Sequence, residues 1–96
     1  MFIINLTYKT ELDTVDQYLE EHIEYLNKQY ELGYFLASGR KIPRTGGIIL
    51  SNVESKTQLE EIIEKDPFKH HDLADYELTE FVPSKTSDEL SFLIPK

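Results

Sequence analysis

His22 falls within the apolar stripe of the first predicted helix, where Val15, Tyr18, Leu19, Ile23, Leu26 and Tyr30 follow helical spacing. Its imidazole is therefore expected to face the core rather than water. Asp66 repeats the pattern, because its spacing from Leu59 and Ile63 puts it on the inward stripe of a second predicted helix, at the last turn. An imidazole beside a buried carboxylate is held in one tautomer and its cation is stabilised, which suits general acid or base chemistry near neutral pH. The competing structural reading has His22 bonded to a backbone or tyrosine oxygen and Asp66 capping local amides ahead of Pro67.

Arg40, Lys41 and Arg44 place three cations within five residues with no acid among them, in a chain whose net charge is -8. With the amide-rich N-terminus of the first helix, this segment is expected to draw a small carboxylate or phenolate into a cleft. An ordinary solvated turn is the alternative. Ser38 and Gly39 would let a ligand approach the backbone closely, although a strand bulge explains a glycine equally well. Tyr8 would supply an aromatic wall. His70, His71 and Asp72 invite a metal reading, but adjacent loop histidines diverge and no HxH or HxxxH spacing accompanies them. A Ser38–His22–Asp66 hydrolytic triad lacks a strained nucleophile elbow and an oxyanion loop. The expected chemistry thus uses no metal and no cofactor.

The elements that must position these groups follow from periodicity. Phe2, Ile4, Leu6 and Tyr8 alternate with Ile3, Asn5, Thr7 and Lys9, which predicts a strand with one apolar and one mixed face. Thr14 with Gln17 reads as a capping box for the first helix, and Gly33 as its terminator. Residues 34–41 form a second extended segment, Pro43 to Gly47 a turn, and residues 47–53 an isoleucine-rich third strand that pairs with the second as a hairpin. Ser55 with Gln58 opens a shorter helix that Pro67 stops, and residues 76–82 give a fourth strand. The order βαββαβ is that of an α+β ferredoxin-like plait: a four-stranded antiparallel sheet with two helices on one face. That topology gathers Asp66, residues 38–40 and the basic turn at one end, and His22, roughly 12 Å down its helix from the cap, reaches them from below.

The 96 residues predict one domain. From Pro83 the periodicity is lost, so residues 1–82 form the expected domain and 83–96 a tail whose apolar end docks on the body or on a partner subunit. The acidic charge disfavours nucleic acid and anionic membrane surfaces. Cysteine is absent, which rules out thiol chemistry. No apolar run approaches the roughly 20 residues of a membrane span, and FIINLTYK lacks the features of a signal peptide, so a cytoplasmic location is expected. The sheet face opposite the helices, carrying Ile3, Asn5 and Thr7, is too apolar for water and too polar for a core, which predicts a face-to-face homodimer.

The stretch HIEYLNKQYELG around His22, the strand sequence FLASGRK, the strand GGIIL, and DPF at residues 66–68 followed by LADYELTEF together resemble the YciI-like (YCII-related) proteins. The resemblance spans most of the chain and leaves the tail outside. It implies a dimeric α+β barrel with an active site around His22 and Asp66. Many relatives have SGP where this chain has Ser38, Gly39 and Arg40, so a cation here replaces a proline. One branch of the family resembles dehydrochlorinases acting on chlorinated hydroxyquinols, and neighbouring barrels include muconolactone isomerases and cofactor-free monooxygenases. The expectation drawn is an acid-base enzyme in which the His22–Asp66 pair moves a proton on a small anionic cyclic or aromatic substrate. Arg40 and Arg44 would hold its charge, and Ser38, Gly39 and Tyr8 would line the pocket. A metabolite-binding module of the same fold, without turnover, is the alternative, and a purely structural dimer unit with no pocket near His22 is a third.

Overall fold

A computed structural model describes residues 1–95. The first strand, β1 (Phe2–Tyr8), buries Phe2, Ile4 and Leu6 and leaves Ile3 and Asn5 half-buried on the other face, as its alternation predicts. The first predicted helix is two helices, α1 (Leu12–Gln17) and α2 (Leu19–Glu31), interrupted at Tyr18 (φ −110°, ψ 3°). The Thr14 capping box does not form. Glu11 occupies the cap position with no side-chain bond, and the Thr14 amide is already donated to the Glu11 carbonyl within the first turn. Gly33 ends α2 as expected, in the left-handed region at φ 78°, where a residue without Cβ is favoured.

Strands β2 (Phe35–Arg40), β3 (Gly46–Ser51) and β4 (Ala74–Glu80) complete a sheet ordered β2-β3-β1-β4, and every neighbouring pair is antiparallel. A Cβ at Gly46 would collide with the Leu6 carbonyl, so glycine permits the close approach of β3 to β1. Helix α3 (Lys56–Ile63) opens with the predicted cap, the Ser55 hydroxyl accepting from the Gln58 amide at 3.1 Å. Its Leu59, Ile62 and Ile63 pack with Phe2, Ile4, Leu6, Val15 and Phe68 in a single core between the helices and one sheet face.

Two expectations about the helices are corrected. Asp66 does not lie in the last turn of α3, which ends at Ile63 with Glu64 as its cap. It sits in extended conformation (φ −69°, ψ 126°) as N-cap of a further short helix, α4 (Pro67–His70). The residue before a proline is driven out of the helical region, and proline itself is preorganised for a first helical turn, so Pro67 starts one helix rather than merely stopping another. The buried face of α2 also differs from the sequence stripe: His22, Tyr25 and Gln29 are buried, whereas Ile23 is 47% exposed. His22 lies on the inward face, as its place within the stripe predicts.

Beyond β4, Pro83 is buried, and a 3-10 turn at Asp88–Leu93 has no buried residue, with Leu90, Phe92 and Ile94 all exposed. Among the described residues no helix is long and apolar enough to cross a membrane.

Candidate active site

Asp66 is 1% exposed and carries the densest set of polar contacts in the fold. Its Oδ1 accepts from the Nδ1–H of His22 at 2.8 Å and from the Phe68 amide at 3.0 Å, while its Oδ2 accepts from the Tyr76 hydroxyl at 2.6 Å. An ionised carboxylate has only acceptor positions, so the His22 nitrogen facing it must be the protonated one. The neutral imidazole therefore carries its lone pair on Nε2. Phe68 fixes the ring plane as well, stacking on the imidazole at 3.9 Å between centroids with 5° between planes. Donation from three groups offsets the cost of burying the charge, and each such bond contributes on the order of 1.5–3 kcal/mol.

His22 faces a cavity of about 440 Å³ between α2 and the sheet, within the range of small-molecule sites. Leu19, Ile23 and Leu26 from α2, Leu6 and Ile49 from the sheet, and Phe68 form its apolar wall. Tyr8, Ser38, Gly39, Arg40 and Arg44 border the same space, so six of the seven residues singled out from the sequence meet at one cavity. The seventh, Asp66, stands behind His22 and does not line it.

Ser38 and Arg40 reach the cavity because of a bulge between Phe35 and Ala37. Phe35 pairs with Ser51 and Ser38 with Ile49, both inward positions of β3. The extra residue reverses the alternation of β2, so Phe35 and Ser38 share one face despite their odd spacing. The bulge thus lies upstream of Gly39, where the sequence left that possibility open.

The three-cation segment is divided by its partners. Arg44 is bound to Asp16 at 2.5 Å, which raises the guanidinium pKa and holds the Asp16 carboxyl below its usual range, chiefly through the hydrogen bond. Lys41 donates to the Thr7 hydroxyl at 3.1 Å. Arg40 has no acidic partner among the described residues. The expected contribution of the first helix's N-terminus is not found: the cavity is bordered by α2, and α1 carries Asp13 in its first turn. His71 stacks on Tyr18 at 4.1 Å, and His70 lies edge-on to His71.

Two tyrosines that no motif in the sequence marks also belong to this network. The Tyr25 hydroxyl donates to the Ile62 carbonyl at 2.9 Å, and Tyr76 binds Asp66. Burial, reinforced by the Asp66 charge, pushes both phenols well above their ordinary pKa. The signal was available for Tyr76, because it shares its strand phase with Ala74 and Leu78, and an inward tyrosine hydroxyl needs a buried partner.

An antiparallel four-stranded sheet in βαββαβ order, with the His22 imidazole opening on a cavity between helix and sheet, defines an α+β ferredoxin-like plait. The chain belongs to the YCII-related domain family, whose model matches residues 1–82. Among solved structures it is similar to a 5-chloro-2-hydroxyhydroquinone dehydrochlorinase from Burkholderia phenoliruptrix in complex with 2,5-dihydroxybenzoquinone. The TM-score is 0.73 at 18% identity, covering 83% of this chain and 91% of that one. At that identity the likeness bears on fold alone. A search of curated proteins found no match.

Proposed function

We propose that this chain is a small cytoplasmic, cofactor-independent enzyme that moves a proton on a small anionic cyclic or aromatic substrate, in an elimination or an isomerisation. The observation that carries this reading is the orientation of His22, with Nδ1 committed to a buried carboxylate and the ring opening on a ligand-sized cavity. Nε2 acts as the base. As it takes a proton from the substrate, the imidazole becomes a cation that Asp66 stabilises. In an elimination from a chlorinated hydroxyhydroquinone held as its keto tautomer, His22 takes the proton of a remaining ring hydroxyl; the O–H electron pair becomes a carbonyl, the ring double bond shifts, and chloride leaves its sp3 carbon with its bonding pair. In an isomerisation His22 returns the proton to a different carbon. Arg40 holds the substrate's negative charge, with Arg44 beside it, while Ser38, the Gly39 backbone and Tyr8 shape the pocket. The name of the structural neighbour, a dehydrochlorinase holding a dihydroxybenzoquinone, supports a hydroxylated ring as the substrate class.

Assembly belongs to the same reading. Ile3 pairs with Leu50 and Asn5 with Ile48 on the face away from the helices, and Asn5 Oδ1 is buried without a hydrogen-bond partner among the described residues. A second copy packed on this face would cover the apolar residues and supply a donor, giving a homodimer that Ile48→Glu should split in sedimentation experiments.

The catalytic proposal is tested by chloride release from a chlorinated hydroxyhydroquinone. His22→Ala should lower kcat by about 10²–10⁴-fold, the usual contribution of a positioned acid-base group, and Asp66→Asn should lower it in the same direction. Unchanged turnover in both variants would refute the mechanism. Binding that depends on Arg40, survives loss of His22 and is never followed by conversion would identify the non-catalytic binding module instead.

A further inference from the structure

Asp66 is held at two points besides His22, and these points lie on opposite oxygens. The Phe68 amide shares Oδ1 with the imidazole, whereas Tyr76 alone donates to Oδ2. The carboxylate plane is therefore fixed from both sides, and its negative charge is divided between two bonded oxygens. We propose that Tyr76 is a positioning residue of the His22–Asp66 pair, whose hydroxyl sets how strongly the carboxylate holds the imidazole Nδ1–H. The proposal deepens the acid-base reading of this site and rests on it for its catalytic consequence.

Three observations fit this role. Tyr76 does not border the cavity that His22 faces; it lines a separate hollow of about 380 Å³ with Ile63, Lys69 and Leu78, so it reaches the site only through Asp66. Burial and the adjacent carboxylate both push its pKa well above the ordinary phenol range, so the hydroxyl is a donor at neutral pH. The Lys69 ammonium sits 5.6 Å above the Tyr76 ring. A cation there withdraws electron density from the phenol and strengthens its donation. Removing the hydroxyl would leave Oδ2 buried without a donor and concentrate charge on the oxygen that binds His22.

The test is NMR of the full chain, following the Nδ1–H proton and ring nitrogens of His22, assigned by their loss in His22→Ala. Tyr76→Phe keeps the ring and should displace these signals downfield. Tyr25→Phe removes a comparably buried hydroxyl that does not touch Asp66, and should leave them in place. Lys69→Met should give a smaller displacement in the same sense as Tyr76→Phe. Should Tyr76→Phe fail to fold, incorporation of a ring-fluorinated, more acidic tyrosine at that position strengthens the donor and should shift the signals in the opposite sense. Signals at the wild-type position in every Tyr76 form that folds would overturn the proposal. Unchanged turnover in His22→Ala would defeat the catalytic reading while leaving this NMR result intact, so the two failures are distinguishable.

Discussion

At the back of the cavity Asp66 is almost fully buried and accepts three hydrogen bonds, whereas at the rim Arg40 is exposed and has no acidic partner among the described residues. The first arrangement is over-determined, since the cap of α4, a strand tyrosine and a stacked Phe68–His22 pair all agree on one geometry. The second is a cation on an edge strand, able to adapt to what arrives. A group that must present one nitrogen in one direction benefits from the first design. A group that attracts and holds charge works with the second. The comparison separates orientation from attraction within one small site, and Arg44, tied to Asp16, is intermediate between them.

Variants should expose this contrast in stability with no substrate present. Asp66→Ala leaves His22, the Phe68 amide and the Tyr76 hydroxyl without their shared acceptor, and should cost roughly 3–5 kcal/mol in urea denaturation, the range for breaking a buried pair by deleting one partner. Loss of comparable stability on Arg40→Ala would erase the distinction. Arg40→Ala should leave the unfolding midpoint unchanged and weaken binding of a dihydroxybenzoquinone on the order of tenfold, an effect that added salt diminishes.

Titration sharpens the comparison further. Tyr25 and Tyr76 have raised pKa values in the folded state, so their contribution to stability is fully present below about pH 10, the ordinary tyrosine value. It is lost progressively as pH rises beyond that, because the unfolded chain ionises first. Thermal melts should therefore show a steeper alkaline decline for the wild type than for Tyr76→Phe. Asp16 has the opposite sign: its lowered pKa gives a contribution present above about pH 4 and lost as the pH falls through the folded value. That effect should be the smallest of the set. It is read as the difference in melting temperature between wild type and Asp16→Asn, and should shrink in high salt because Asp16 is exposed and Arg44 only half-buried.

Much of the scaffold was legible along the chain. Alternation placed β1 with its buried face, Ser55 with Gln58 marked the start of α3, and Gly33 marked the end of α2. Each of these is a local event, decided by spacing within a few residues. The errors also have local causes. The Thr14 box competes with a turn that already begins at Glu11, and spacing places Asp66 in the helix before Pro67 although the proline opens the helix after it. A stripe drawn through Ile23 and Tyr30 omits Tyr25 and Gln29, because a phenol or amide side chain reads from sequence as amphipathic although both are buried here.

The sequence by itself determined the order of the strands and the main helices and that His22 would face inward, because periodicity is written in neighbouring side chains; Asp66 is inward too, but as the cap of α4 rather than through the helical spacing that predicted it. Tertiary structure alone decided that these two, 44 positions apart, share a hydrogen bond. It also decided that only the imidazole opens on the cavity, and that a one-residue bulge turns Ser38 and Arg40 toward it. Strand register and side-chain partnership across the fold arise when distant segments pack under a common steric and hydrogen-bonding constraint, and no window along the chain contains both sides of that constraint.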